Sequence, residues 1–168
     1  MRMMVRDETA GDIPAIGALI TAAFRSAPHA SGTEAAIVEA LRAAGALSLS
    51  LVACDEAGDV RGHVAFSPVL IDGRDTGWLG LGPLAVHPDR QRQGIGRDLL
   101  RAGLARLGAA GAAGIVVLGD PAYYGRFGFA AHSGLRLPDV PAEYFLALGL
   151  RQSVPSGTVA YHPAFNVT

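Results

Sequence analysis

The sequence predicts a compact α/β domain in which one mixed sheet is flanked by helices. Three observations predict it. The chain has 168 residues, the length of one domain with a proper core. Half of it is hydrophobic, much of that alanine, and 22 residues are glycine, a composition suited to close helix packing and unlike that of a disordered chain. Strand-type and helix-type apolar patterns alternate along its length, with no repeat, low-complexity tail or obvious linker between them.

The elements follow in order. Met3 to Arg6 reads as a first strand. Asp12-Ile13-Pro14 opens a helix, since proline is tolerated in the first turn and aspartate suits the positive helix end. Ile13, Ile16, Leu19, Ile20 and Phe24 form its apolar face. After a loop with Pro28 and Gly32, Ser31-Gly32-Thr33-Glu34 offers a capping box for a second helix, with Ile37, Val38 and Leu41 as its buried stripe and Gly45 as its end. Strands are expected over Leu47–Asp55 and Val60–Ile71, joined by the turn Glu56-Ala57-Gly58-Asp59. Asp72-Gly73 signals a hairpin into a strand over Gly77–Val86. Gly94 to Leu107 is helical, with Ile95, Leu99, Leu100, Leu104 and Leu107 on one face and Gly108 and Gly111 closing it. Gly114–Leu118 reads as a buried strand and Pro121–Phe127 as a short helix. Two further strands are expected around Leu135 and Val159, with a short helical piece near Tyr144 to Leu148.

Composition excludes several functions. The net charge is −1, with a pI near 6.5. A nucleic-acid binder draws most of its affinity from phosphate neutralisation and carries a basic surplus that this chain lacks. All 14 basic side chains are arginine. Cys54 is the single cysteine, so no internal disulfide forms, which suits a reducing cytoplasm. The N-terminus, Met1 to Glu8, lacks an apolar signal core. The longest near-apolar run, Leu107 to Gly119, is glycine-broken and short of the roughly 20 residues that span a bilayer. A soluble, cytoplasmic protein without nucleic-acid or membrane partners is expected, as monomer or homodimer.

The chemistry is concentrated between Gly82 and Arg97. This stretch reads as a strand, a basic glycine-containing loop and a helix start. Helix starts leave N–H groups unpaired and carry partial positive charge. Glycines let a bulky anion approach that backbone, and Arg90, Arg92 and Arg97 add charge nearby. The constellation is a pyrophosphate cradle. It lacks the Gly-Lys-Ser/Thr of a P-loop. It also fails the dinucleotide fingerprint, which asks for a small residue where Leu99 stands and for a place in a first βαβ unit.

Gln91-x-x-Gly94-x-Gly96, after Leu84-Ala85-Val86-His87-Pro88, resembles the coenzyme A motif of the GNAT N-acetyltransferase family. About 30 residues on, Tyr124-Gly125-Arg126-Phe127-Gly128-Phe129 is similar to that family's tyrosine segment, and the element order matches over nearly the whole chain. Gly62-His63-Val64, Gly82-Pro83-Leu84 and Gly119-Asp120-Pro121-Ala122-Tyr123-Tyr124 together resemble its YhbS-like subgroup. The resemblance implies the GNAT acyl-CoA N-acyltransferase fold, an α/β (α+β) architecture over residues 1–168. Its central sheet is mixed, mostly antiparallel, flanked by helices and splayed between strands 4 and 5, here Gly77–Val86 and Gly114–Leu118.

The resemblance also implies a reaction. Acetyl-CoA is the cosubstrate and an amine, on a small molecule or a protein, is the acceptor. Pantetheine pairs with the backbone of Leu84 and Val86, and the Leu84 amide stabilises the oxyanion. Gln91, Arg92, Gln93, Gly94, Ile95, Gly96 and Arg97 hold the pyrophosphate. The amine attacks directly, and Tyr124 protonates the departing thiolate. A phenol near pKa 10 is protonated at neutral pH, and a thiolate near 8.5 is a modest acceptor. Two alternatives stand beside this reading: a non-catalytic coenzyme A sensor or partner-binding module, and a transferase using another acyl-CoA.

Other reactive residues have plainer explanations. Tyr123 reads as a packing neighbour and Cys54 as a buried inert thiol. His63 sits mid-strand and Glu34 at a helix cap, which leaves the general base open between His63, Glu34 and a water relay. His87, before Pro88, reads as a loop residue. No cluster has metal-ligand spacing, so no metal is expected. The acceptor is expected to be set by the loops Pro28–Gly32 and Pro138–Tyr144.

Overall fold

Alternating apolar runs pair into two sheets in a computed structural model that describes residues 3–25, 27 and 31–168. In order they are β1 (Met4–Asp7), α1 (Ile13–Phe24), α2 (Glu34–Ala43), β2 (Leu49–Cys54), β3 (Val60–Pro68), β4 (Leu70–Ile71) and β5 (Trp78–Val86). There follow α3 (Ile95–Ala109), β6 (Gly114–Leu118), α4 (Pro121–Tyr124), β7 (Ala130–Ala131), β8 (Leu135–Arg136), β9 (Phe145–Gly149) and β10 (Gly157–Ala160). The main sheet has the order β1-β2-β3-β5-β6-β9-β7, and β4-β10-β8 form a smaller one. Within the main sheet only β5 and β6 run parallel.

The two sides of the main sheet are filled differently. Ile95, Leu99, Leu100 and Leu107 of α3 pack on Leu51, Val64, Phe66, Ile115 and Val117. Gly62 and Gly103 let α3 lie close; a Cβ on Gly103 would stand 2.6 Å from the Phe66 ring. On the other side, Ile16, Leu19 and Ile20 of α1 and Val38 of α2 cover Val52, Ala65 and Ala85. Farther along that side Val69 and, from the small sheet, Ile71, Leu135 and Val159 pack against Trp78, Val116 and Phe145.

Helix ends follow the glycines. Gly45 and Gly111 have φ of +68° and +93°, and the next residues donate back to Leu41 and Leu107 at 2.8 and 3.0 Å. These are Schellman ends. Gly108 lies inside α3, so Gly111 alone closes it. Asp72 and Gly73 take φ of +51° and +79° in the expected tight turn. At α2 the Glu34 carboxylate accepts from the Ser31 amide at 2.9 Å, while the Ser31 hydroxyl turns to Thr33 and Glu34. One arm of the expected capping box is therefore present. Pro28, named with the acceptor loop, lies outside the described residues.

Two expectations are corrected. The run Val60–Ile71 is two strands, because the chain leaves the main sheet after Pro68 and β4 pairs with β10. Tyr144–Leu148 is not helical. Only 142–144 makes a helical turn, and β9 pairs with β6 along its length, from Phe145 opposite Leu118 to Gly149 opposite Gly114. Phe145, Leu146 and Ala147 are all buried, so they form the continuous apolar run of an inner strand, which periodicity alone cannot separate from a buried helix.

A polar chain runs beneath α2. Arg42 grips the Glu8 carboxylate with two 3.0 Å hydrogen bonds. The Ser50 hydroxyl donates to Glu8 and lies 2.8 Å from Nε2 of His63. Having given its proton to Glu8, Ser50 accepts from Nε2–H, which leaves Nδ1 of His63 buried without a partner. Protonation would strand a charged donor there, and burial pushes the His63 pKa down to about 4. The unfolded chain takes up a proton near 6.5 that the folded chain refuses until about 4. Stability is therefore full above the upper value and falls as pH drops through that window. Urea melts of the wild type should lose about 3 kcal/mol across it. His63→Gln should lose most of that slope; an unchanged pH profile in the variant would assign the dependence elsewhere.

Candidate active site

The candidate site opens where β5 parts from β6. Trp78, Leu79 and Gly80 pair with Gly114, Ile115 and Val116, and the parallel pairing stops there. Beyond it β5 keeps only β3. The register on that side slips between Val64 and Phe66: Leu84 faces Val64, Leu81 faces Phe66, and the two residues Gly82-Pro83 bulge opposite the single Ala65. The His87 amide donates to the Arg61 carbonyl at 2.8 Å. By the alternation of an antiparallel ladder, Ala85 and His87 spend their amides on β3. Leu84 and Val86 turn theirs to the gap, and the Val86 carbonyl takes a bond from Gln91 Nε2 at 3.4 Å.

The chain then folds the basic loop against that gap. His87 Nδ1 accepts from the Asp89 amide at 3.1 Å and so fixes a turn over 88–90. Arg92 and Gly94 both take left-handed backbone, with φ of +65° and +86°. Left-handed residues interleaved with ordinary ones turn successive N–H groups to one side. The first bond inside α3 runs from Asp98 to Gly94, at 3.0 Å, so the amides ahead of it are free of the helix. They carry the positive end of a 15-residue helix.

A cavity of about 620 Å³ lies over these amides. Leu84, Val86, Gln91, Arg92, Gly94, Ile95, Gly96 and Arg97 line it. Gln93 stands outside and is exposed. Gly96 is buried under the cavity, and a Cβ there would stand 2.8 Å from the Tyr123 hydroxyl. The site is therefore built of backbone at its floor and arginine at its rim.

Two lining residues escaped the sequence reading. Tyr123 and Arg126 complete the wall, with the guanidinium 4.8 Å over the phenol ring. The signal was their spacing: three residues apart on a helical segment, they share a face. Tyr124 stands behind them. Its ring meets Tyr123 and Phe129 edge-on at 5.0 and 5.9 Å and covers Gly119, where any side chain would collide. Burial pushes both phenols up, Tyr124 further than Tyr123, whose rise Arg126 and Arg97 oppose.

The remaining candidates lie elsewhere. His63 is locked in the chain under α2, and Glu34 is turned to Ser31. Cys54 is buried at the end of β2, where burial pushes its thiol up. The loop from Pro138 helps line a separate cavity of about 710 Å³ with Leu135, Arg136, Glu143 and Phe145. Among the described residues no group of three His, Cys, Asp or Glu could hold a metal ion, and no helix is long and apolar enough to cross a membrane.

Comparison with known proteins places the chain in a family. Residues 47–131 match the family model of the acetyltransferase (GNAT) domain. The chain is 43% identical over 171 residues to a protein of Escherichia coli K12 named as the uncharacterized N-acetyltransferase YhbS, covering 98% of this chain and 99% of the relative. It is similar to the crystal structure of a GNAT family acetyltransferase from Brucella melitensis in complex with acetyl-CoA, with a TM-score of 0.88, 50% identity and 98% of each chain covered. The crystal structure of YhbS from Escherichia coli in complex with CoA gives a TM-score of 0.89 at 42% identity, covering 99% of this chain and 93% of that one.

The packing at Gly96 makes one expectation sharp. Gly96→Val fills the floor of the cavity and pushes Tyr123 aside, while α3 remains intact. CoA affinity should fall about tenfold or more, a loss of at least about 1.4 kcal/mol, with the melting temperature within a few degrees of wild type. Calorimetry of the folded variant showing undiminished CoA binding would place the phosphates elsewhere.

Proposed function

Because the chain belongs to the GNAT acetyltransferase family and is an acyltransferase, we propose that residues 1–168 act as one domain that transfers the acetyl group of acetyl-CoA to a primary amine. The observation that carries this reading is the adjacency of two features. The bare amides at the start of α3 suit a pyrophosphate. The unpaired edge of β5, beginning beside them at Val86, suits the amide-bearing pantetheine arm, which can add to it as a strand does. A lone buried cysteine suits a reducing compartment, and we place the reaction in the cytoplasm.

The thioester supplies an acetyl group with a good leaving group. With Gln91 to Arg97 holding the pyrophosphate, the acetyl carbonyl lies against the Leu84 amide. That donor strengthens as the carbonyl oxygen becomes an oxyanion. The amine nitrogen bonds to the carbonyl carbon, the C–S bond breaks, and the sulfur leaves with its electron pair. Tyr124 gives the sulfur its proton, and the new amide nitrogen releases one to solvent or a base. On reference values the transfer from phenol to thiolate is uphill by about 1.5 units. Burial that raises the Tyr124 phenol raises a thiolate in the same dry gap as well, so the mismatch is partly offset.

Two measurements test the reading. Acetyl-CoA at 100 times its dissociation constant should stabilise the protein by about 2.7 kcal/mol in a thermal melt. A melt unmoved by both acetyl-CoA and CoA removes the central claim. Tyr124→Phe should keep CoA affinity and slow single-turnover transfer by about 10²–10⁴-fold, with the loss in kcat. Tyr123→Phe, which alters the cavity wall rather than the acid, should cost little in kcat. If Tyr123→Phe alone is slow, the acid is Tyr123.

A further inference from the structure

Three buried polar side-chain atoms without a partner belong to residues on one face of the main sheet around Gly80: Ser67 Oγ, Trp78 Nε1 and the Tyr161 hydroxyl. Ser67 stands directly opposite Gly80 in the β3–β5 register, and directly paired residues share a face. Trp78 is two residues before Gly80 on the same strand and so shares that face too. The Tyr161 ring occupies the space a Gly80 side chain would take; a Cβ there would stand 2.8 Å from its edge. Gly80 is also the last residue of β5 to pair with β6. The cluster therefore sits at the vertex of the fork.

It lies on the side of the sheet away from α3. Leu84 and Val86 point to Gly96 and the phosphate cavity, whereas Trp78 and Tyr161 belong to the core beneath the small sheet. Tyr161 is fixed there by its neighbours. It follows β10, meets Phe165 edge-on at 5.0 Å, and precedes a turn capped by His162 Nδ1, which accepts from the Ala164 amide at 3.0 Å. Tyr124 is within electrostatic reach and helps to raise the Tyr161 phenol, which burial keeps protonated.

Buried polar groups are nearly always satisfied, and a concentration of exceptions marks a place completed by a ligand or bound water. This inference rests on the acetyl-transfer reading. A thioester held along β5 has one side toward the cradle and α3, and its nucleophile comes from the other. We infer that Ser67, Trp78 and Tyr161 are the floor of the acceptor site, and that the Tyr161 hydroxyl hydrogen-bonds the acceptor and aims its amine at the thioester. The chemistry of the floor restricts the acceptor. An indole N–H only donates, so it asks for an oxygen on the substrate. The two hydroxyls are neutral, and among the described residues no carboxylate or guanidinium atom is buried without a partner beside them. The fitting class is an amine flanked by hydroxyl or carbonyl oxygens, with no second charge near the reacting nitrogen.

The test uses four amine probes: glucosamine and glycinamide, which carry such oxygens, and n-butylamine and putrescine, which do not. The wild type should acetylate the first pair with about tenfold or more higher kcat/KM. Tyr161→Phe, and independently Ser67→Ala, should raise the acceptor KM severalfold for the oxygen-bearing probes. Acetyl-CoA affinity by calorimetry should be unchanged. A tyrosine that serves packing alone would leave KM untouched, and loss of an unsatisfied hydroxyl should leave the melting temperature level or higher. The assignment is overturned if both variants keep wild-type acceptor kinetics. It is equally overturned if their defect lies in acetyl-CoA affinity or in the preference between acetyl- and propionyl-CoA. It also falls if no probe is acetylated although acetyl-CoA raises the melting temperature, since cofactor binding then stands without this acceptor site. If acetyl-CoA binds in no assay, the acetyl-transfer reading itself has failed.

Discussion

A parallel pairing that lasts three residues organises this protein. Strands joined by a crossover helix normally run together for their length, because each unpaired N–H and C=O costs free energy. Here β5 and β6 share Trp78 to Gly80 with Gly114 to Val116 and then separate. The bulge at Gly82-Pro83 bends β5 away, and β9 holds β6 along its whole length on the other side. The backbone left bare between them is an open strand edge of the kind to which an extended ligand can add. The same divergence brings the start of α3 beside the mouth of the gap. One unmet set of hydrogen bonds and the bare helix start thus lie side by side, which is the arrangement the proposed cosubstrate asks for.

Small residues make the surrounding assembly close enough to work. Gly62 and Gly103 seat α3 on the sheet, Gly96 bares the floor of the cavity, Gly119 receives Tyr124 and Gly80 receives Tyr161. Each is a point where a Cβ would meet a side chain that the site uses or that the core needs. The glycine content counted in the sequence is therefore partly a record of close approaches around one gap.

Much of this was legible in the chain. The strand, basic loop and helix start are local: their glycines and arginines are contiguous from Leu84 to Arg97, so one window displays them. Helix ends at Gly45 and Gly111 are legible for the same reason. What escaped depends on distant partners. Phe145 to Leu148 reads equally as buried helix or strand until β6 claims it. Leu70 and Ile71 continue an apolar run and leave it only because β10, some 90 residues later, pairs with them. Tyr123 does pack, against Tyr124 and Phe127, but that its hydroxyl also faces Gly96 is something no local pattern displays.

The last strand carries a consequence for how the protein assembles. Val159 pairs with Ile71, and Tyr161 seats on Gly80, so the vertex of the fork depends on contacts of about 80 to 90 residues' separation. Contacts of such span form slowly, because loop closure must precede any gain. During synthesis the earlier strands and α3 can condense while β10 is still to come. The loop ahead of α3, built from one contiguous stretch, thus takes shape before the vertex does. The two ends of one gap are thus completed at different moments in the life of one polypeptide.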